Sequence, residues 1–89
     1  MAKTNEILIY TTFMCPYCAR AKALLEKKGQ SFTEVDVTYD AAEREAMTQK
    51  AGGQRTVPQI WINGTHVGGC DDLYALDRAG KLDPMLTAA

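Results

Sequence analysis

The feature that most restricts the architecture of this chain is the dipeptide Asn63-Gly64, set between the β-rich runs "TVPQIWI" (56–62) and "THVGG" (65–69). Asn-Gly suits a two-residue hairpin turn, whose central residues both take positive φ. The two runs it joins must therefore be antiparallel. Upstream, "EILIY" (6–10) shows little alternation and reads as a buried strand. "SFTEVDVT" (31–38) sets Thr33, Val35 and Val37 against Glu34 and Asp36 and reads as a second strand. Between them, Ala21, Leu24 and Leu25 form the apolar stripe of a helix. Pro16 suits its first position, Lys27 and Lys28 its last turn, and Gly29 its end. A strand-helix-strand unit favours a right-handed parallel crossover. Asp40 and Glu43 form a capping-box start for a second helix, which Gly52-Gly53 ends. Asp71 caps a third, carrying Leu73 and Leu76 and closed by Gly80. The tail from Pro84 has room for one more turn. The order β-α-β-α-β-β-α predicts an α/β fold, a four-stranded mixed sheet flanked by three helices.

At 89 residues, the chain is expected to form one domain, residues 1–89. Ten basic residues nearly balance eleven acidic ones, so no basic field points to nucleic acid. No apolar run approaches membrane-spanning length, and "MAKTNEILIY" lacks the apolar core of a signal peptide. A cytoplasmic protein is expected. In that reducing setting, three cysteines are an odd number and too few for a disulfide scaffold.

Two of them, Cys15 and Cys18, enclose Pro16-Tyr17 in "CPYC". Positions i and i+3 share a helix face, so the sulfurs can meet. Cys15, at the helix start, gains most from unpaired N–H groups and the positive dipole end, which stabilise a thiolate. Cys18, one turn inside, gains less and is more buried. A stabilised thiolate also leaves a mixed disulfide faster. The spacing thus makes an asymmetric pair in which Cys15 attacks and Cys18 resolves. Cys-x-x-Cys beside a βαβ pattern reads as a thioredoxin-like redox motif. The competing structural reading is zinc, for which Cys15, Cys18, His66 and Cys70 make a Cys3His set of the required size. Against it, zinc clamps usually pair two tight knuckles, whereas Pro16-Tyr17 fits a helix start. A permanent staple is disfavoured because so short a loop removes little unfolded-state entropy.

Two further motifs are weak alone. In "TVP" (56–58), Val57 is pushed to extended geometry by the following proline, which leaves a neighbouring backbone edge free for a peptide-like ligand. In "GGCDD" (68–72), the glycines let backbone approach closely, the next helix start offers N–H groups to a carboxylate, and Asp72 can answer an amino group. Taken by itself, that stretch is better explained as a plain glycine-rich turn with an aspartate cap.

Together, "CPYC", "TVPQIWI" and "GGCDDLYAL" make the chain resemble the glutaredoxins from about Glu6 to Ala79, in that family's order and spacing. The resemblance implies a thioredoxin-like fold, glutathione as co-substrate, Cys15 as nucleophile and Cys18 as resolving thiol. It implies that Tyr17 flanks the bound glutathione. Val57, in the Thr56-Val57-Pro58 motif, would pair with its backbone ahead of a cis Pro58. Backbone N–H groups around Gly69, Cys70 and Asp71 would hold its γ-glutamyl carboxylate, and Asp72 its ammonium. Many glutaredoxins carry a lysine three residues before the first cysteine, where this chain has Thr12. The glycine carboxylate must then rely on Gln54, Arg55 or solvent. No metal or organic prosthetic group is required, and the expected partners of a monomer are glutathione and glutathionylated or disulfide-containing proteins. The alternatives are a zinc module, an iron–sulfur cluster shared between two chains, and an electron donor served by thioredoxin reductase. Pro16 and Cys18 argue against the cluster, since single-cysteine members are its usual carriers. The "GGCDD" motif argues against the reductase-linked donor.

Other residues read plainly. Cys70 is a bystander thiol, His66 a solvated hairpin residue, and Trp61 strand packing. Lys22, Lys27 and Lys28 form a solvated helix face. Met14 fits either surface or core.

Overall fold

The computed structural model describes residues 5–87. Strand β1 (Ile7–Thr11) leads through a loop to helix α1 (Pro16–Lys27), then strand β2 (Thr33–Asp36) and helix α2 (Ala41–Lys50). Strands β3 (Gln59–Ile62) and β4 (Thr65–Gly68) precede helices α3 (Cys70–Arg78) and α4 (Leu82–Leu86). The sheet order is β2-β1-β3-β4. β1 runs parallel to β2 and antiparallel to β3, and β3 pairs antiparallel with β4 across the Asn63-Gly64 turn, where both residues have positive φ. The mixed four-stranded sheet, its parallel crossover and its antiparallel hairpin follow the sequence reading.

Alternation on the two central strands divides the core. Ile7, Ile9, Ile60 and Ile62 face α1, α3 and α4, packing with Ala21, Leu24, Leu25, Leu73 and Leu82. Tyr10 and Trp61 face the other way, toward Met47 of α2 and Ala51, which caps its C-terminus. Each such fully buried aliphatic side chain contributes roughly 1.5–3 kcal/mol of transfer free energy.

Helix ends follow local chemistry. The C-terminus of α1 closes in a Schellman motif, with Gln30 N–H donating to the Leu25 carbonyl and Gly29 N–H to that of Glu26, around Gly29 at φ +73°. Asp40 caps α2 by accepting the Glu43 N–H at 3.0 Å.

Four details differ from the sequence reading. The tail forms a fourth helix that begins at Leu82, two residues before Pro84, which falls in the first turn, where a missing N–H breaks no intrahelical bond. β2 spans only 33–36, because Asp36 turns back to accept the Thr38 N–H at 2.8 Å. The cap of α3 is Gly69 rather than Asp71, which is the second residue of the helix. Nor are the lysines of α1 a uniformly solvated face. Lys28 bridges Asp77 of α3 and Asp83 of α4 at 2.8 and 2.9 Å, and Lys22 pairs with Glu34 at 3.0 Å.

Candidate active site

β1 runs toward one end of the sheet and β3 starts from that same end, so the loops before α1 and before β3 meet there. Cys15 is the N-cap of α1, extended at φ −95° and ψ 109°, with Pro16 at the first helical position. Its Sγ accepts the Cys18 N–H at 3.1 Å, the bond that a serine or aspartate oxygen ordinarily makes at this position. The same sulfur lies 3.9 Å from the Val57 carbonyl oxygen. The Val57–Pro58 bond is cis, as the resemblance implies. The third motif closes on the second, since a Cβ placed on Gly69 would stand 3.4 Å from the Pro58 carbonyl oxygen. "CPYC", "TVP" and "GGCDD" thus converge.

Within this cluster the cysteines differ sharply. Cys15 is half-buried and Cys18 is 2% exposed. Burial, and then the hydrogen bond with Cys15, push the Cys18 thiol up to about 12. Backbone of Thr12 and the charge of Lys22 pull the other way. Cys70 is buried as the first residue of α3, and burial raises its thiol too. Beneath the site, the Thr11 hydroxyl donates to Glu34 at 2.7 Å. That bond and the Lys22 contact hold the Glu34 carboxyl below its ordinary range.

Around the sulfur the surface is apolar: Phe13, Met14 and Tyr17 are 69%, 82% and 54% exposed. Met14 is therefore surface, at a φ of +56°. Thr38 holds this loop by accepting the Phe13 N–H at 2.6 Å. Asp71 and Asp72 are exposed on the first turn of α3, and one oxygen of Asp72 accepts the Gly69 N–H at 3.0 Å. Gln54 and Thr56 turn toward the sheet, each accepting a hydrogen bond from Gln59. Arg55 remains exposed, with its carbonyl accepting from Arg44 at 3.0 Å.

The Cys3His set is not assembled. His66 lies on the α2 side of the sheet, against Trp61, while Cys70 packs on the side of α1 and α3. Among the described residues no group of three or more His, Cys, Asp and Glu side chains could hold a metal ion. His66 is also not the solvated residue expected. It is half-buried, its ring 4.7 Å from that of Trp61 and its Nε2 2.8 Å from Gln59 Oε1. The residue that sequence reasoning passed over is Gln59, fully buried at the start of β3. Its signal was a lone amide opening the otherwise apolar run "QIWI".

A mixed sheet with a cysteine capping a helix start and a buried second cysteine one turn on defines a thiol–disulfide oxidoreductase of thioredoxin-like fold. The Glutaredoxin family model matches residues 7–67. Glutaredoxin 3 of Escherichia coli K12 is 59% identical over 81 residues, covering 91% of this chain and 96% of its own. The Pseudomonas aeruginosa glutaredoxin is 57% identical over 82 residues, covering 92% of this chain and 96% of its own. Among solved structures, the buckwheat glutaredoxin–glutathione complex superposes with a TM-score of 0.86 at 37% identity, covering 94% of this chain and 78% of that one. The chain belongs to the glutaredoxin family. Among the described residues no helix is long and apolar enough to cross a membrane.

Proposed function

We propose that this protein is a glutathione-dependent reductase of glutathione mixed disulfides and of protein disulfides, working as a monomer of one domain. The observation that carries the reading is Cys15 Sγ held between the Cys18 N–H and the Val57 carbonyl, beside the first turn of α3. A glutathione lying across this end of the sheet would pair its cysteinyl backbone with Val57 and rest against Tyr17. Its γ-glutamyl carboxylate would meet the Cys70 and Asp71 N–H groups, which helix geometry leaves without intrahelical partners. The second oxygen of Asp72 would take the ammonium. At the other end, Thr12, Arg55 and Gln54 border the glycine carboxylate, Gln54 with only the part of its amide that Gln59 does not engage. The solved complex of a buckwheat relative with glutathione supports this choice of co-substrate.

The chemistry follows from the asymmetry of the thiols. The Cys15 thiolate attacks the glutathione sulfur of a mixed disulfide, and the substrate leaves as its thiolate. A second glutathione thiolate attacks that same sulfur, displacing Cys15 and forming oxidised glutathione. With a protein disulfide, Cys15 forms a mixed disulfide with one substrate sulfur. Cys18 then attacks Cys15 Sγ and releases the substrate as a dithiol. While Cys15 is free, burial and Cys15 itself keep Cys18 protonated. Once Cys15 is capped, its hydrogen bond and charge no longer oppose ionisation of Cys18, which eases the resolving step while burial still raises the thiol. Two glutathiones reduce the resulting Cys15–Cys18 disulfide.

The test is a glutathione-coupled assay, in which glutathione reductase and NADPH report oxidised glutathione formed from a glutathionylated peptide. Turnover that is first order in enzyme is expected. Turnover only when thioredoxin reductase replaces glutathione would overturn the proposal.

A further inference from the structure

We infer that Gln59 and His66 are positioning residues that set the 54–57 segment against Cys15. Gln59 is fully buried, and its side chain is used on both sides. Nε2 donates to Gln54 Oε1 at 3.2 Å and to Thr56 Oγ1 at 3.3 Å. Because that nitrogen is the donor, Oε1 is the acceptor facing His66, so the 2.8 Å contact requires a proton on His66 Nε2. The imidazole in turn leans on Trp61, at 4.7 Å and 32° between planes. Trp61 is wedged between the Tyr10 ring, edge-on at 5.4 Å, and the Lys50 ammonium at 4.6 Å. A chain of contacts therefore runs from a packed aromatic post, through His66 and the buried amide, to an otherwise exposed segment. It ends at the Val57 carbonyl, 3.9 Å from the nucleophilic sulfur.

Residues 52–56 are exposed, so apolar burial does little to order them. A buried amide with no partner is costly, so Gln59 holds its neighbours as firmly as they hold it. An ordered 54–57 segment presents the Val57 backbone edge ready-made. Without that order, a ligand must fix the segment on binding, and affinity falls. The effect belongs in substrate binding rather than in the sulfur chemistry. That catalytic consequence rests on the glutathione reading above, whereas the ordering of the segment in the free protein does not.

Two variants test it. Gln59→Met conserves volume and removes all three bonds, and His66→Phe keeps a ring on Trp61 while removing the donor to Gln59. Limited tryptic cleavage of the ligand-free proteins after the exposed Arg55 should quicken by at least about tenfold, with cleavage within α1 unchanged. KM for a glutathionylated peptide should rise about three- to tenfold, the scale of releasing one or two ordered side chains. Both kcat and the rate of Cys15 alkylation by iodoacetamide should hold. Unchanged cleavage after Arg55 in both variants, or quickening spread evenly over the whole chain, would overturn the inference. So would a loss confined to kcat. Local quickening in a protein that does not use glutathione would uphold the ordering role and refute the co-substrate assignment instead.

Discussion

Cys15 and Cys18 are three positions apart, yet one sulfur is open to a substrate and the other is sealed beneath it. This difference predicts that Cys15→Ser abolishes all disulfide chemistry, whereas Cys18→Ser keeps deglutathionylation and loses the dithiol reduction of protein disulfides. Steady-state assays with a glutathionylated peptide and with a protein disulfide decide it, and equal loss of deglutathionylation in both variants would refute the assignment. Asp72 carries a second residue-level prediction. Asn at this position can still accept the Gly69 N–H but cannot neutralise an ammonium, so Asp72→Asn should raise KM for glutathionylated substrates several-fold, about 1 kcal/mol for an exposed charged contact. Unchanged kinetics would leave Asp72 with a capping role alone. The cysteine asymmetry was legible because it depends only on spacing and a proline. The role of Gln59 was not, because an amide at the start of a strand reads as exposed until the fold shows what covers it.

At the scale of elements, the junction of β4 and α3 leaves no room for a side chain at Gly68. Gly68 has φ +112°, and a Cβ there would clash with a carboxylate oxygen of Asp72. Gly68→Ala should therefore destabilise the protein by roughly 1–3 kcal/mol in urea unfolding, from backbone strain together with the displaced carboxylate. Adding Asp72→Ala should recover the steric part and leave the φ cost, giving a measurable coupling between the two positions. Full additivity would show that the two groups do not meet. The elements flanking this junction were readable, since the Asn-Gly turn, the Asp40 cap and the glycine stops are local signals. Where local signals compete, the reading slipped by a residue or two: Asp71 is a good cap, but Gly69, whose N–H donates to the Asp72 carboxylate, takes the position. The fourth helix lacks a side-chain cap, so nothing in the sequence announced its start.

Across the whole molecule, the two thiols buried at the site link stability to pH. Burial raises Cys18 to about 12 and moves Cys70 in the same direction. In the unfolded chain a thiol ionises near ~8.5. Above that pH the unfolded state has lost protons that the folded state keeps, so stability is full below it and falls as pH rises toward 12. Cys18→Ala should flatten that decline relative to the parent protein in urea titrations between pH 8 and 11, by up to ~1.4 kcal/mol per pH unit. Parallel declines would show that the thiol is not held neutral. The sheet order could be read in outline, because a parallel crossover and an antiparallel hairpin leave few arrangements, but the pairing of β1 with β3 is a long-range contact without a local signal. That pairing also imposes a schedule. Cys15 and Val57 are 42 residues apart in the chain, and β3 must dock on β1 before they face one another. On a ribosome adding ~5–20 residues per second, the cysteine pair is synthesised roughly 2–8 s before the segment that completes its surroundings. For that interval the two thiols are an unsheltered dithiol on a nascent chain, with neither the Val57 carbonyl beside one nor a finished core over the other. The molecule acquires its discrimination between them only when the second half of the sheet closes.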